Sequence, residues 1–146
     1  LWYLNNLQPD FTCGHVSRVG LHNGHGDGPK WTCDPHRLLA KKDCLIYSVG
    51  SHGHYEWEDG VVALLGSPNC EIHVFDTGNY SRPVDVTMKN IHYHQWGIKS
   101  SYNASSAHSL HTAEPELHTF QQTLTKLGHN RRRIDILKID CDSCEW

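Results

Sequence analysis

No apolar run among these 146 residues is long enough to cross a bilayer. Neither sign of charge dominates. Thirteen Lys and Arg stand against 16 Asp and Glu, for a formal net charge of -3. That balance removes the electrostatic case for a nucleic-acid or membrane-surface partner. The basic run Arg131-Arg132-Arg133 reads as a solvated rim between a helix and a strand. There is no internal repeat and no low-complexity tract, and a hydrophobic content of 38% does not describe a disordered chain. The G-x-G-x-x-G fingerprint of dinucleotide-binding enzymes is also missing, because Gly50-Ser-His-Gly-His-Tyr55 does not fit it. An NAD-dependent Rossmann oxidoreductase therefore stands only as an alternative reading.

Six cysteines are present, without zinc-ribbon spacing. Cys141 and Cys144 form a single C-x-x-C, a weak redox or zinc signal. Cys44 lies in an apolar run and reads as a small core hydrophobe. Cys13 and Cys33 can pair if the protein is secreted. The sequons Asn79-Tyr80-Ser81 and Asn103-Ala104-Ser105 point the same way, to a secretory or lumenal setting. Thirteen histidines include the close pairs His22/His25, His52/His54, His92/His94 and His108/His111. A His-rich metal-binding protein is thus a second reading. An H-x-H on a strand puts both rings on one face, but neither such pair has an evident third ligand, so no metal set is assigned. The chain opens on Leu1 and closes on Trp146 without a visible signal peptide, and it reads as a fragment.

Residues 1–30, rich in Gly, His, Asn and Asp, read as an irregular N-terminal segment ahead of a domain over 31–146. Asp34-Pro35 predicts a helix start, with Asp34 as cap and Pro35 at the first helical position, running to about Lys41. Cys44 to Val49 is a continuous apolar run, as in a strand buried on both faces. Trp57, Val61, Leu64 and Leu65 recur at helical spacing until Gly66-Ser-Pro-Asn69. Glu71–Asp76 and Ile91–Trp96 read as the second and third strands. Pro115 opens a helix with Leu117, Phe120, Leu124 and Leu127 on one face and Gly128 at its end. Ile134–Asp140 is a fourth strand. Strands alternating with helices predict an α/β fold, a parallel sheet with flanking helices, cut off after the fourth strand. Ligand loops then lie at the carboxyl ends of the strands.

The chemistry concentrates at those ends. Gly50 and Gly53 follow the first strand and let backbone approach a ligand, or simply make a strand-to-helix turn. Asp76 ends the second strand, 26 residues beyond Gly50, near the ~20-residue separation of an acid that binds ribose hydroxyls. A carboxylate accepts a hydrogen bond from each of two neighbouring hydroxyls. A turn or cap acid is the plainer reading. Trp96, before Gly97 and Ile98, either stacks on a base or fills core. The fourth strand ends in Asp140, Asp142 and Glu145, three acids within six residues. They are candidate catalytic groups, or oxygen ligands for a divalent metal.

Lys138-Ile-Asp-Cys-Asp-Ser-Cys-Glu-Trp146 resembles the K-I-D-x-E-G-x-E-W signature of a methyltransferase-like family with FkbM-type relatives. Trp31-Thr-Cys-Asp-Pro-His-Arg37 is similar to that family's segment ahead of the first strand. Tyr47-Ser-Val-Gly-Ser-His-Gly53 with Trp57-Glu58 is similar to its Y-S-F-G-S-N-G … F-E motif, and Val74-Phe75-Asp76 to its second strand. The resemblance covers roughly residues 31–146. It implies a class I, Rossmann-like methyltransferase fold with strand order 3-2-1-4, binding S-adenosylmethionine. It places Gly50, Ser51 and Gly53 on the methionine and ribose side, Asp76 on the ribose, Trp96, Gly97 and Ile98 near adenine, and Asp140 near the methionine moiety or the acceptor. The expected reaction is methyl transfer to a small-molecule or glycan acceptor that the sequence does not identify; if the acceptor is a hydroxyl, a carboxylate or histidine must reach its proton. Two departures stand out. Ser48 occupies a position where many class I enzymes carry an acid, and Asp142-Ser143 replaces the family's Glu-Gly.

Overall fold

The structure is a computed structural model that describes residues 12–20, 28–65, 70–82, 89–101 and 115–141. Its centre is a four-stranded sheet of β3 (Cys44–Val49), β4 (Cys70–Phe75), β5 (Ile91–His94) and β8 (Ile136–Ile139). The spatial order is β5-β4-β3-β8, and every pairing is parallel. All six residues of β3 are buried, which is why its sequence is a run rather than an alternation. Successive side chains of a strand point to opposite faces, so the sheet supports two cores. Cys44, Ile46, Ile72 and Val74 pack on one face, Leu45, Tyr47, Val49 and Phe75 on the other.

The first face is covered by α1 (Glu56–Leu65). Trp57, Val61 and Leu65 form its inward stripe, and Glu56, Glu58 and Asp59 in its first turn suit the positive end of the helix. Against the second face lie Leu124 of α2 (Phe120–Lys126) and Leu127 just beyond it. Among the described residues no helix is long and apolar enough to cross a membrane.

Several elements differ from expectation. Within the N-terminal segment, β1 (Val16–Val19) pairs antiparallel with β2 (Lys30–Cys33), so part of residues 1–30 is ordered ladder. Residues Pro35–Ala40 form a 3-10 helix, and Asp34 does not cap it. Asp34 sits in the left-handed region at φ 45°, and its carboxylate instead accepts the His15 N–H at 2.7 Å. The third strand stops at His94. The chain turns there, and β6 (Gly97–Lys99) pairs in parallel with β7 (Leu117–Thr119). Leu117 is therefore in a strand. The helix begins at Phe120, where Thr119 and Gln122 make a reciprocal capping box that outcompetes Pro115 as a start signal. Gly128, at φ 72°, lies just past the helix end as predicted. Cys44 is not a free core thiol: the β3–β4 register sets it opposite Cys70, and the two are disulfide-bonded. Cys13 and Cys33 pair as well. No free cysteine remains among the described residues.

Candidate functional site

A cleft of about 290 Å³ opens at the carboxyl ends of β3, β4 and β8. Val49, Gly50, His52, Phe75, Asp76, Thr77, Gly97, Ile98, Leu117, Asp140 and Cys141 line it. A cleft outside the strand ends is where open α/β sheets bind ligands. Its position follows from the ladder. The Gly50 N–H donates to Phe75 O at 2.9 Å, the Asp140 N–H to Val49 O at 2.9 Å, and the Asp76 N–H to His94 O at 3.1 Å. The three strand tips are thereby held level.

Gly50 is required by two independent constraints. Its φ is 77°, and a Cβ there would stand 1.9 Å from the Asp140 carbonyl oxygen. Only glycine lets β3 and β8 leave the sheet this close together. His52 at φ 48° and Gly53 at φ 79° continue the turn in the left-handed region.

Asp76 holds that turn. Its Oδ2 accepts the N–H groups of Ser51 at 2.9 Å and His52 at 2.8 Å. Its Oδ1 accepts Gly78 N–H at 3.1 Å. One carboxylate thus ties the loop after β3 to the loop after β4. Each oxygen has two lone-pair sites, so capacity for a ligand hydroxyl remains.

Behind the turn lies a polar set that sequence reading did not assign to the site. Ser48 Oγ donates to Oε1 of Glu58, a fully buried carboxyl of α1. Burial raises the Glu58 pKa. Glu58 Oε2 has no hydrogen-bond partner among the described residues. Lys138 reaches from β8 to donate to the Gly50 carbonyl, and burial lowers its pKa. Ser48 and Lys138 are register partners on neighbouring strands. The available signal was a lysine and a serine inside strands that otherwise read as apolar.

The structure brings Gly50, Asp76, Gly97, Ile98 and Asp140 together on one cleft wall. Ser51 is buried beside them and contributes its N–H to Asp76. Asp140 forms an ion pair with Lys30 at 2.8 Å. Gly53 lines a neighbouring groove with Tyr80 and Arg82 instead. Trp96 is the departure among the expected nucleoside contacts. It packs into the second core against Phe75, His94 and His118, with Lys126 Nζ 4.3 Å from the ring centroid, and is not part of the cleft lining. The third strand ends at His94 and β6 begins at Gly97, so Trp96 lies in the connection between them rather than on a strand tip. Asp142 and Glu145 lie outside the described residues. His52, which sequence reading placed only in a histidine pair, faces the cleft and contacts Tyr80, with Tyr80 Oη 3.3 Å from its Nδ1.

Comparison with known proteins adds two findings. The sequence model of a family described as "Methyltransferase domain" matches residues 1–146. The human protein "Probable methyltransferase-like protein 24" is 27% identical over 158 residues, covering 100% of this chain and 39% of that protein. The chain thus spans about two fifths of the length of that curated relative. No solved structure matches.

Proposed function

The chain belongs to the methyltransferase-domain family, and on that premise we propose that it is the cofactor-binding part of a class I, FkbM-like methyltransferase using S-adenosylmethionine. The observation that carries this reading is the meeting of the Gly50 turn and Asp76 on one cleft. The residues present fit a nucleoside cofactor. The turn offers bare backbone, Asp76 retains acceptor capacity, and Phe75, Ile98 and Leu117 supply an apolar wall.

When bound, the cofactor supplies an activated methyl group on a sulfonium. The protein's part is alignment. Gly50 and Ser51 frame the turn on which the methionine and ribose portion rests, with Gly53 closing it. Asp76 orients a ribose hydroxyl through the remaining site on Oδ1. Gly97 and Ile98 flank the base. Asp140 stands at the mouth and is proposed, with Asp142 and Glu145 that follow it in sequence, to face the acceptor. A carboxylate there, or His52, can receive the proton of an acceptor hydroxyl. The acceptor is proposed to be a hydroxyl of a small molecule or glycan. The Cys13–Cys33 and Cys44–Cys70 disulfides, together with a sequon at Asn79, support an oxidising, secretory or lumenal compartment.

Calorimetry on the full-length gene product tests the reading. S-adenosylmethionine is expected to bind and NAD not to, with Asp76→Ala weakening the former at least about tenfold, or 1.4 kcal/mol. Absence of binding, or an unchanged affinity in the variant, contradicts it.

A further inference from the structure

The sheet face beneath α2 carries polar rings where a core would be apolar. Glu71 and His73 share this face of β4, and His92 and His94 are the register partners of His73 and Phe75 on β5. Tyr47 stands opposite His73 on β3. His129, from the segment between α2 and β8, closes over them with its ring centroid 4.8 Å from that of His73. His73 and His129 are each only 7% exposed.

The hydrogen bonds in this cluster fix one nitrogen of each buried ring and leave His73 Nε2 uncommitted. His73 Nδ1 lies 2.8 Å from His94 Nε2, while His73 Nε2 has no hydrogen-bond partner among the described residues. His129 Nδ1 lies 2.7 Å from the Tyr47 hydroxyl, so its Nε2 points away from that bond. Ligand atoms of Glu71, His73 and His129 all fall within 4.8 Å of one another.

We propose that Glu71, His73 and His129 form a zinc site beneath α2, with His94 and Tyr47 as the groups that orient the two imidazoles. Two histidines and a carboxylate are a recurring zinc donor set, with a fourth position for water. Zinc bonds of 2.0–2.2 Å place tetrahedral ligands about 3.3 Å apart, so the three side chains must close in. Glu71, with 45% side-chain exposure, has room for that movement. A metal-bound histidine characteristically commits its other ring nitrogen to a partner, as both rings do here. Binding also needs neutral imidazoles. Burial first, then the neighbouring imidazoles, hold His73 down at about 3, and burial lowers His129 as well.

Arg132 is the competing cation. Its Nη1 donates to Glu71 Oε2 and lies 3.4 Å from His129 Nε2, while its Nη2 holds Asp43 at 2.5 Å. Zinc takes the place of Nη1, and the Asp43 bond lets the guanidinium swing aside without losing its second partner. Glu71 precedes Asp76 by five strand residues, about 16 Å at 3.3 Å per residue. The site is therefore separate from the cleft and ties β4 to the segment ahead of β8.

The test is zinc titration of chelator-stripped protein in competition with a chromophoric chelator, alongside metal analysis of the protein as purified. The wild type is expected to bind one zinc per chain. Glu71→Gln, at a half-exposed position that leaves the core intact, weakens it at least tenfold, and His73→Ala at least a hundredfold. Arg132→Gln tightens it, and His54→Ala changes nothing. Circular dichroism establishes that each variant is folded. Wild-type protein without stoichiometric zinc overturns the proposal. So does zinc bound equally well by Glu71→Gln, since the ion then sits elsewhere.

Discussion

Replacing Asp76 with Asn separates two roles that a loss of activity alone confuses. The carboxylate accepts three backbone N–H groups, two on Oδ2 and one on Oδ1. Asparagine has one oxygen. In either orientation its amide NH₂ faces N–H donors, so at least one bond is lost and the remainder lose their charge assistance. Hydrogen bonds to a charged group contribute about 1.5–3 kcal/mol each. The His52 donor is exposed and water recovers part of its share, which brings the expected cost to about 2–3 kcal/mol. For a chain of this size that lowers the melting temperature by about 4–12 °C. The assay is urea and thermal unfolding without cofactor. A residue that served only to bind ribose would leave cofactor-free stability untouched. If Asp76→Asn unfolds within about 0.5 kcal/mol of wild type, the loop-tying role is wrong. A companion measurement of cofactor affinity then reports the ribose role by itself.

Two further outcomes are expected. Replacing Cys44 and Cys70 together by Ala removes a cross-link with a sequence separation of 26 and is expected to cost about 3 kcal/mol, read from urea midpoints under non-reducing conditions. An unchanged midpoint means the thiols are not paired. In chelator-treated protein, stability is expected to fall as pH drops below the ordinary histidine range. Burial, first among the causes, lowers His73 to about 3 and His94 to about 4, so the unfolded chain binds more protons between about pH 6.5 and those values. The contribution is complete above pH 6.5 and declines at up to about 1.4 kcal/mol per pH unit for each ring. His92, His129, Glu71 and Arg132 face the same cluster. His73→Leu flattens it, and a variant with the wild-type slope contradicts the assignment.

The parts of the fold legible in the sequence were those dictated by local pattern. The apolar run at Cys44–Val49 reads as a strand covered on both faces, and its six residues are all buried. The Trp57, Val61, Leu65 stripe gave α1 for the same reason. Elements decided by partners distant in sequence were not legible. Leu117 fits a helical face by spacing, yet pairing with Gly97 draws it into a strand. Asp34 has the right chemistry for a cap, but His15, 19 residues earlier, claims its carboxylate. The disulfide of Cys44 is set by a parallel register that no short window contains.

The candidate site divides along the same line. Gly50 and Asp76 announce themselves because each sits at the end of an apolar segment, where an unusual residue type has to be explained by the turn itself. Glu58, Ser48 and Lys138 do not, because each lies inside an element and takes its meaning only from the other two. The physical logic joining them is that a turn made of bare backbone has no side chains of its own to fix it. Asp76 supplies acceptors to the N–H groups of Ser51 and His52 on one side, and Lys138 supplies a donor to the Gly50 carbonyl on the other. A buried ammonium is costly without a counter-charge, and the two acids that raise the Lys138 pKa most are Glu58 and Asp140, one behind the turn and one at its mouth. The turn is thus clamped from both faces by groups on three strands and a helix. A preorganised backbone loop of this kind needs such outside support, which is why its determinants are scattered from Ser48 to Asp140 rather than written into the glycine motif.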